Sequence, residues 1–113
     1  MQHLITTIIK PHALDGVKEA IKASGSSGMT VTDVSGFGRQ GGHSETYRGA
    51  EYQVEFLPKL KVEVVVSSED ADRVAREIQK AASTGSIGDG KIWVTTIDRL
   101  MRIRTGEMGD DAL

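Results

Sequence analysis

From His3 to Lys10 two branched faces alternate, Leu4, Thr6 and Ile8 against Ile5, Thr7 and Ile9. Such a run predicts a strand buried on both sides, and Pro11 ends it. Leu14, Val17, Ala20 and Ile21 then recur at helical spacing, with Lys18, Glu19 and Lys22 on the opposite face. Gly25 is the expected stop for that helix. Met29 to Ser35, rich in Val and Thr, predicts a second strand. A third carries Leu60, Val62, Val64 and Val66 on one face, with Lys61 and Glu63 facing away. Ser67 and Asp70 stand at capping-box spacing. Ala71, Val74, Ala75, Ile78, Ala81 and Ala82 then form the apolar stripe of a second helix. Ile92 to Ile97 predicts a fourth strand, and an extended tail would set Arg102 and Arg104 on one face.

The order βαββαβ fits the split βαβ, or ferredoxin-like, arrangement: an α+β fold with an antiparallel four-stranded sheet and both helices on one face. A second apolar sheet face, expected at Ile5, Thr7 and Ile9 with Trp93 and Ile97, asks for a cover, and self-association is the simplest. With 113 residues the chain holds one domain and one core.

The formal charge of -2 supplies no global basic field, which argues against general nucleic-acid binding. An RNA-binding sheet would also need stacking aromatics, and Trp93 is the clear strand aromatic. No apolar run approaches the roughly 20 residues that cross a bilayer, and no leader pattern is visible. Without cysteine there are no disulfides, thiol catalysis or Cys–zinc sites, as fits a cytoplasmic protein.

Candidate chemistry gathers in the segments between these elements. The stretch 36–52 is long, polar and glycine-rich, yet holds Phe37, Tyr47 and Tyr52, and so predicts a mobile arm that recognises something. At its start, Gly36-Phe37-Gly38-Arg39-Gln40 either turns the chain or directs N–H groups and an arginine at an anion. No helix follows, so the spacing is not a dinucleotide fingerprint. Thr84-Gly85-Ser86-Ile87-Gly88-Asp89-Gly90-Lys91 either cradles phosphate oxygens or makes an Asp-Gly turn into the last strand. It lacks the spacing of a P-loop. Arg102 and Arg104 are surface ion-pair formers or a phosphate clamp reaching across a subunit boundary. Lys59, at a strand end beside the long loop, is solvated or meets a carboxylate. His3, His12 and His43 show no metal-ligand spacing, and no nucleophile–base pair is visible.

Six segments together resemble the PII nitrogen-regulatory signal transduction proteins over essentially the whole chain. They are Ile9-Lys10-Pro11, Gly28-Met29-Thr30-Val31, Gly36-Phe37-Gly38-Arg39-Gln40, Tyr47-Arg48-Gly49-Ala50-Glu51-Tyr52, Gly85-Ser86-Ile87-Gly88-Asp89-Gly90-Lys91 and Arg102-Ile103-Arg104-Thr105-Gly106-Glu107. The resemblance implies a single domain over 1–113, with a T-loop at about 37–55, a B-loop at about 83–91 and a C-terminal segment at about 99–113. It implies a non-enzymatic, cytoplasmic homotrimer with nucleotide sites between subunits. ATP and ADP compete there, and 2-oxoglutarate joins ATP through Mg2+.

By resemblance the nucleotide site comprises Thr30 near the adenine, then Gly36, Phe37, Gly38, Arg39 and Gln40 at the T-loop base. Gly88, Asp89, Gly90 and Lys91 of the B-loop and the phosphate-binding Arg102 and Arg104 complete it. Gln40 is the implied magnesium ligand, and Gln40, Lys59 and Gly88 the implied 2-oxoglutarate contacts. Tyr52 matches a tyrosine that is uridylylated or adenylylated in some branches. Gly41 stands where many relatives carry lysine, and Ala50 where some carry a phosphorylated serine. Implied partners are regulatory targets such as an ammonium transporter, which would recruit the protein to the membrane without inserting it, or a glutamine-synthetase-modifying enzyme. The alternative on the same fold is a small acylphosphatase-like hydrolase with Arg39 as anion holder, since fold does not fix function.

Overall fold

The structure, a computed structural model, describes residues 1–26, 28–38 and 55–113. Four strands, β1 (Gln2–Ile9), β2 (Thr30–Gly36), β3 (Leu57–Ser67) and β4 (Gly90–Ile97), form one antiparallel sheet in the order β2-β3-β1-β4. Two helices, α1 (Leu14–Ala23) and α2 (Ala71–Ala82), complete the predicted ferredoxin-like arrangement. Each strand runs a residue or more beyond its apolar pattern, because ladder pairing continues where polar residues and glycines begin. No helix among the described residues is long and apolar enough to cross a membrane.

The core lies between the helices and one sheet face. Ile5, Ile9, Val62, Val64 and Val66 from the sheet meet Val17, Ile21, Val74 and Ile78 from the helices, all buried. This overturns the expected sidedness of β1. Ile5, Thr7 and Ile9 stand opposite Val64, Val62 and Leu60, and directly opposed residues of an antiparallel pair share a face. The valine stripe of β3 therefore draws the Ile5 face under the helices. Leu4, Thr6 and Ile8 lie on the other face with Trp93 and Ile97, in register Thr6↔Trp93 and Gln2↔Ile97.

The helix ends are local solutions to unpaired backbone groups. After α1, the Ser26 N–H donates to Ile21 O and the Gly25 N–H to Lys22 O. Gly25 has φ 100°, so the predicted glycine stop is a Schellman motif. The expected Ser67–Asp70 capping box is not made. Ser67 remains in β3, the Asp70 N–H donates to the Ser67 carbonyl, and the chain passes by turns into α2. Asp70 instead pairs with Arg73 at 3.2 Å. Ala81, expected in the apolar stripe, is exposed beside α1, near Gly16.

The tail also departs from its expected extended form. Residues 103–105 turn, with the Gly106 N–H on Arg102 O, the Arg102 N–H on Glu107 O, and a bridge between Met101 and Met108. The two arginines therefore do not lie along one face of a strand.

Candidate functional site

At one end of the sheet, the end of β2, the start of β3 and the loop before β4 enclose a cleft of about 570 Å3. Gly36, Phe37, Gly38, Lys59, Gly88, Gly90 and Lys91, each singled out by the sequence, line it together with Ile8, Leu57 and Ile87. Arg39, Gln40 and Tyr52 lie outside the described residues. Phe37 and Phe56 face each other edge to face at 5.4 Å, bracketing the chain where it leaves and rejoins the sheet.

The loop 84–90 is held from within by Asp89. Its carboxylate accepts bonds from Thr84 N at 2.7 Å, Thr84 Oγ1 at 2.6 Å and Gly85 N at 3.0 Å. Lys10 at the end of β1 adds an ion pair at 3.2 Å. The Thr84 hydroxyl and amide bonds, with that ion pair, hold the Asp89 carboxyl well below the usual carboxylate range. Asp89 thus organises the loop, and it borders a smaller cavity of about 340 Å3 on the helix side, lined also by Thr7 and Gln79. Gly90 is fixed by its surroundings: φ is 111°, and a Cβ there would fall on the Ile8 carbonyl oxygen.

Lys59 donates from Nζ to Gly88 O at 3.0 Å. Burial, then the nearby Lys10 ammonium, pushes its pKa down, and Asp89 opposes them. A charged lysine held in partial burial at the Gly88 carbonyl suits an arriving anion, whose opposite charge would offset both effects.

The other sequence candidates lie elsewhere. Thr30 begins β2, six residues before Gly36 along the same strand, or about 20 Å at strand rise. With Leu4, Met29, Leu100, Ala112 and Leu113 it lines a different cavity, of about 810 Å3. Arg102 donates from Nη1 to Glu107 Oε1 at 2.9 Å and from Nη2 to Leu113 O at 2.8 Å. Gln2 Nε2, at that same end of β1, bonds Asp110 Oδ1 at 2.6 Å and ties the tail down. Arg104 is exposed. One chain therefore carries two separated sets, a glycine–lysine cleft and a threonine–arginine end.

The sequence reading missed Lys10, Phe56 and Glu107 as parts of these sets. Lys10 was legible only as the strand's last residue before proline, and its partner is 79 positions away. Phe56 had no distinguishing pattern until the strands closed, and Glu107 stood only as the last residue of the sixth segment, with no role attached.

Both helices on one face of a four-stranded antiparallel sheet define a ferredoxin-like domain, here with a glycine–lysine cleft and an arginine-bearing tail. The family model described as "Nitrogen regulatory protein P-II" matches residues 2–107, and the chain belongs to that family. It is 59% identical to the nitrogen regulatory protein P-II of Rhizobium meliloti (strain 1021) over 109 residues, 96% of this chain and 97% of the relative. It is 54% identical to the nitrogen regulatory protein GlnK of Escherichia coli (strain K12) over 110 residues, 97% of this chain and 98% of the relative. A crystal structure of Arabidopsis thaliana PII bound to citrate superposes with a TM-score of 0.82 at 34% identity, covering 99% of this chain and 92% of that one. These relatives are named as regulators, and the chain is a regulatory protein rather than the acylphosphatase-like enzyme of the alternative reading.

Proposed function

We propose that this protein is a homotrimeric, cytoplasmic sensor of ATP, ADP and 2-oxoglutarate that controls nitrogen-assimilation targets through the loop between β2 and β3. The observation that carries the reading is the separation of the two candidate sets, the glycine–lysine cleft and the threonine–arginine end, at opposite ends of one sheet. A polyphosphate contacting both cannot lie within a single chain. It can lie between two chains, with Gly36, Phe37, Gly38, Gly88, Gly90 and Lys91 of one subunit facing Thr30, Arg102 and Arg104 of the next. Asp89 serves this site indirectly, by shaping the loop. Arg39 and Gln40 follow Gly38 directly in the chain and are assigned to the same loop base.

The oxo-acid belongs at Lys59 and Gly88, where the ammonium is already crowded by Lys10. The plant relative bound to citrate, a tricarboxylate, supports carboxylate recognition on this fold. Magnesium fits a site of this kind only as a shared ion. Among the described residues no group of three His, Cys, Asp or Glu side chains could hold a metal, and both Asp89 oxygens are engaged. Gln40 would then be its side-chain ligand beside phosphate and oxo-acid oxygens, and the ion would neutralise charge between the two ligands. Ligands that contact the loop base differently bias the loop's conformation and so its choice of partner. An ammonium transporter and a glutamine-synthetase-modifying enzyme are the proposed partners, and Tyr52 is the proposed nucleotidylylation site.

Calorimetric titration tests this. 2-Oxoglutarate should bind tightly only with ATP and magnesium, and should raise ATP affinity by the same factor. Equal 2-oxoglutarate affinity with ADP, or without metal, would refute the shared ion.

A further inference from the structure

The tail turn brings a carboxylate against the arginine assigned to phosphate. Backbone bonds fix this juxtaposition: the Arg102 N–H donates to Glu107 O at 2.9 Å, and the Gly106 N–H to Arg102 O at 2.8 Å. Thr105 Oγ1 accepts from the Glu107 N–H at 3.2 Å, and the Met101–Met108 bridge closes the turn behind them. Glu107 Oε1 then accepts from Arg102 Nη1 at 2.9 Å, while Leu113 O takes Nη2 at 2.8 Å. A guanidinium carries five N–H donors, so two such bonds orient the fork without exhausting it. The Arg102 side chain keeps 31% of its surface exposed, enough for an anion to reach it.

Two effects of Glu107 on a bound phosphate oppose each other. Its charge, close to the guanidinium, repels a phosphate and cancels part of the arginine's attraction. Its hydrogen bond holds a flexible side chain in one rotamer, removing the ordering cost from the binding step. An exposed arginine at the surface would gain little from a lone ion pair. Here the pair sits on a turn that the backbone has already fixed, so the carboxylate is held within reach of the fork at little further ordering cost.

We infer that Glu107 is a positioning residue for nucleotide binding, holding the Arg102 guanidinium ready for a phosphate. The inference rests on the nucleotide reading of Arg102. Glu107 acts through Arg102 and does not touch the ligand. Removing its negative charge should therefore weaken anion binding, the reverse of what charge alone dictates.

The test is a double-mutant cycle on ATP–magnesium affinity by calorimetry, with native mass and thermal stability confirming the assembled fold. Glu107→Ala should lose about tenfold in affinity, the size of one hydrogen bond to a charged group. Glu107→Gln, which keeps an acceptor, should lose less. In an Arg102→Ala background the loss from Glu107→Ala should vanish, because the group it positions is gone. A purely structural role would persist in that background and would overturn the inference. So would unchanged or tighter binding in Glu107→Ala beside a clear loss in Arg102→Ala. Unchanged affinity in Arg102→Ala itself would overturn the nucleotide reading of this arginine and the inference with it.

Discussion

Gly90 and Asp89 show how single residues shape the cleft. Gly90 takes a backbone conformation that L residues avoid, and its missing Cβ leaves room for the Ile8 carbonyl. Gly90→Ala should destabilise the protein by about 2 kcal/mol or more, from left-handed strain plus the clash. Urea denaturation midpoints would measure it. Asp89 is a carboxylate whose folded pKa is depressed by Thr84 and Lys10. Its contribution is complete above the unfolded value near 3.9. It is lost as pH falls below that value, because the unfolded chain then binds the proton first. Asp89→Asn should therefore lower stability at neutral pH and flatten its decline between about pH 5 and pH 2. An unchanged acid profile would show that the Thr84 bonds do not hold the charge.

At the scale of elements, the loop before β4 is pinned to β1 by one ion pair. Lys10 and Asp89 retain 15% and 22% side-chain exposure, so water screens the pair less than it would at the surface. Lys10→Met keeps the aliphatic stem and removes the charge. It should speed amide exchange at Thr84 and Gly85, whose N–H groups bond Asp89. It should also raise the Lys59 pKa, since a like charge departs. NMR at the Lys59 side chain reads the second effect, and no upward shift would contradict the assigned cause.

These elements were unevenly legible in the sequence. The third strand and second helix were visible because their apolar and charged residues separate cleanly, as at Val62, Val64 and Val66 against Lys61 and Glu63. The faces of β1 were not, because Leu4, Thr6 and Ile8 are as apolar as Ile5, Thr7 and Ile9. Only pairing with β3 decides between them. Glycines marked the cleft's loops, but the ion pair of Asp89 with Lys10 forms only on closure with β1. The turn at 102–107 was hidden for a similar reason: local pattern carries no sign of the Met101–Met108 bridge. Roles for Gln40 and Tyr52, and the oxo-acid as the partner of Lys59, came from family resemblance, and Gln40 and Tyr52 lie outside the described residues.

At the scale of the whole molecule, the sheet's helix-free face presents Leu4, Ile8, Trp93 and Ile97, and Trp93 is 45% exposed. A charge there should oppose association between copies. Trp93→Glu should shift the native mass toward monomer and lose ATP binding in parallel, while the helix-side core keeps each subunit folded. Monomers that still bind ATP with full affinity would contradict a shared site.

The central claim is that each nucleotide site is split between two chains, and subunit mixing tests it most directly. Lys91→Ala spoils the cleft half of a subunit and leaves its arginine end intact, whereas Arg102→Ala does the reverse. Neither variant alone should bind ATP at full affinity. Co-refolded hybrids should regain one intact site per mixed trimer, where an Arg102→Ala subunit offers its cleft to the arginine end of a Lys91→Ala subunit. Full-affinity ATP binding in the hybrids, counted by native mass spectrometry, is the predicted result. Hybrids that bind no better than their parents would contradict it.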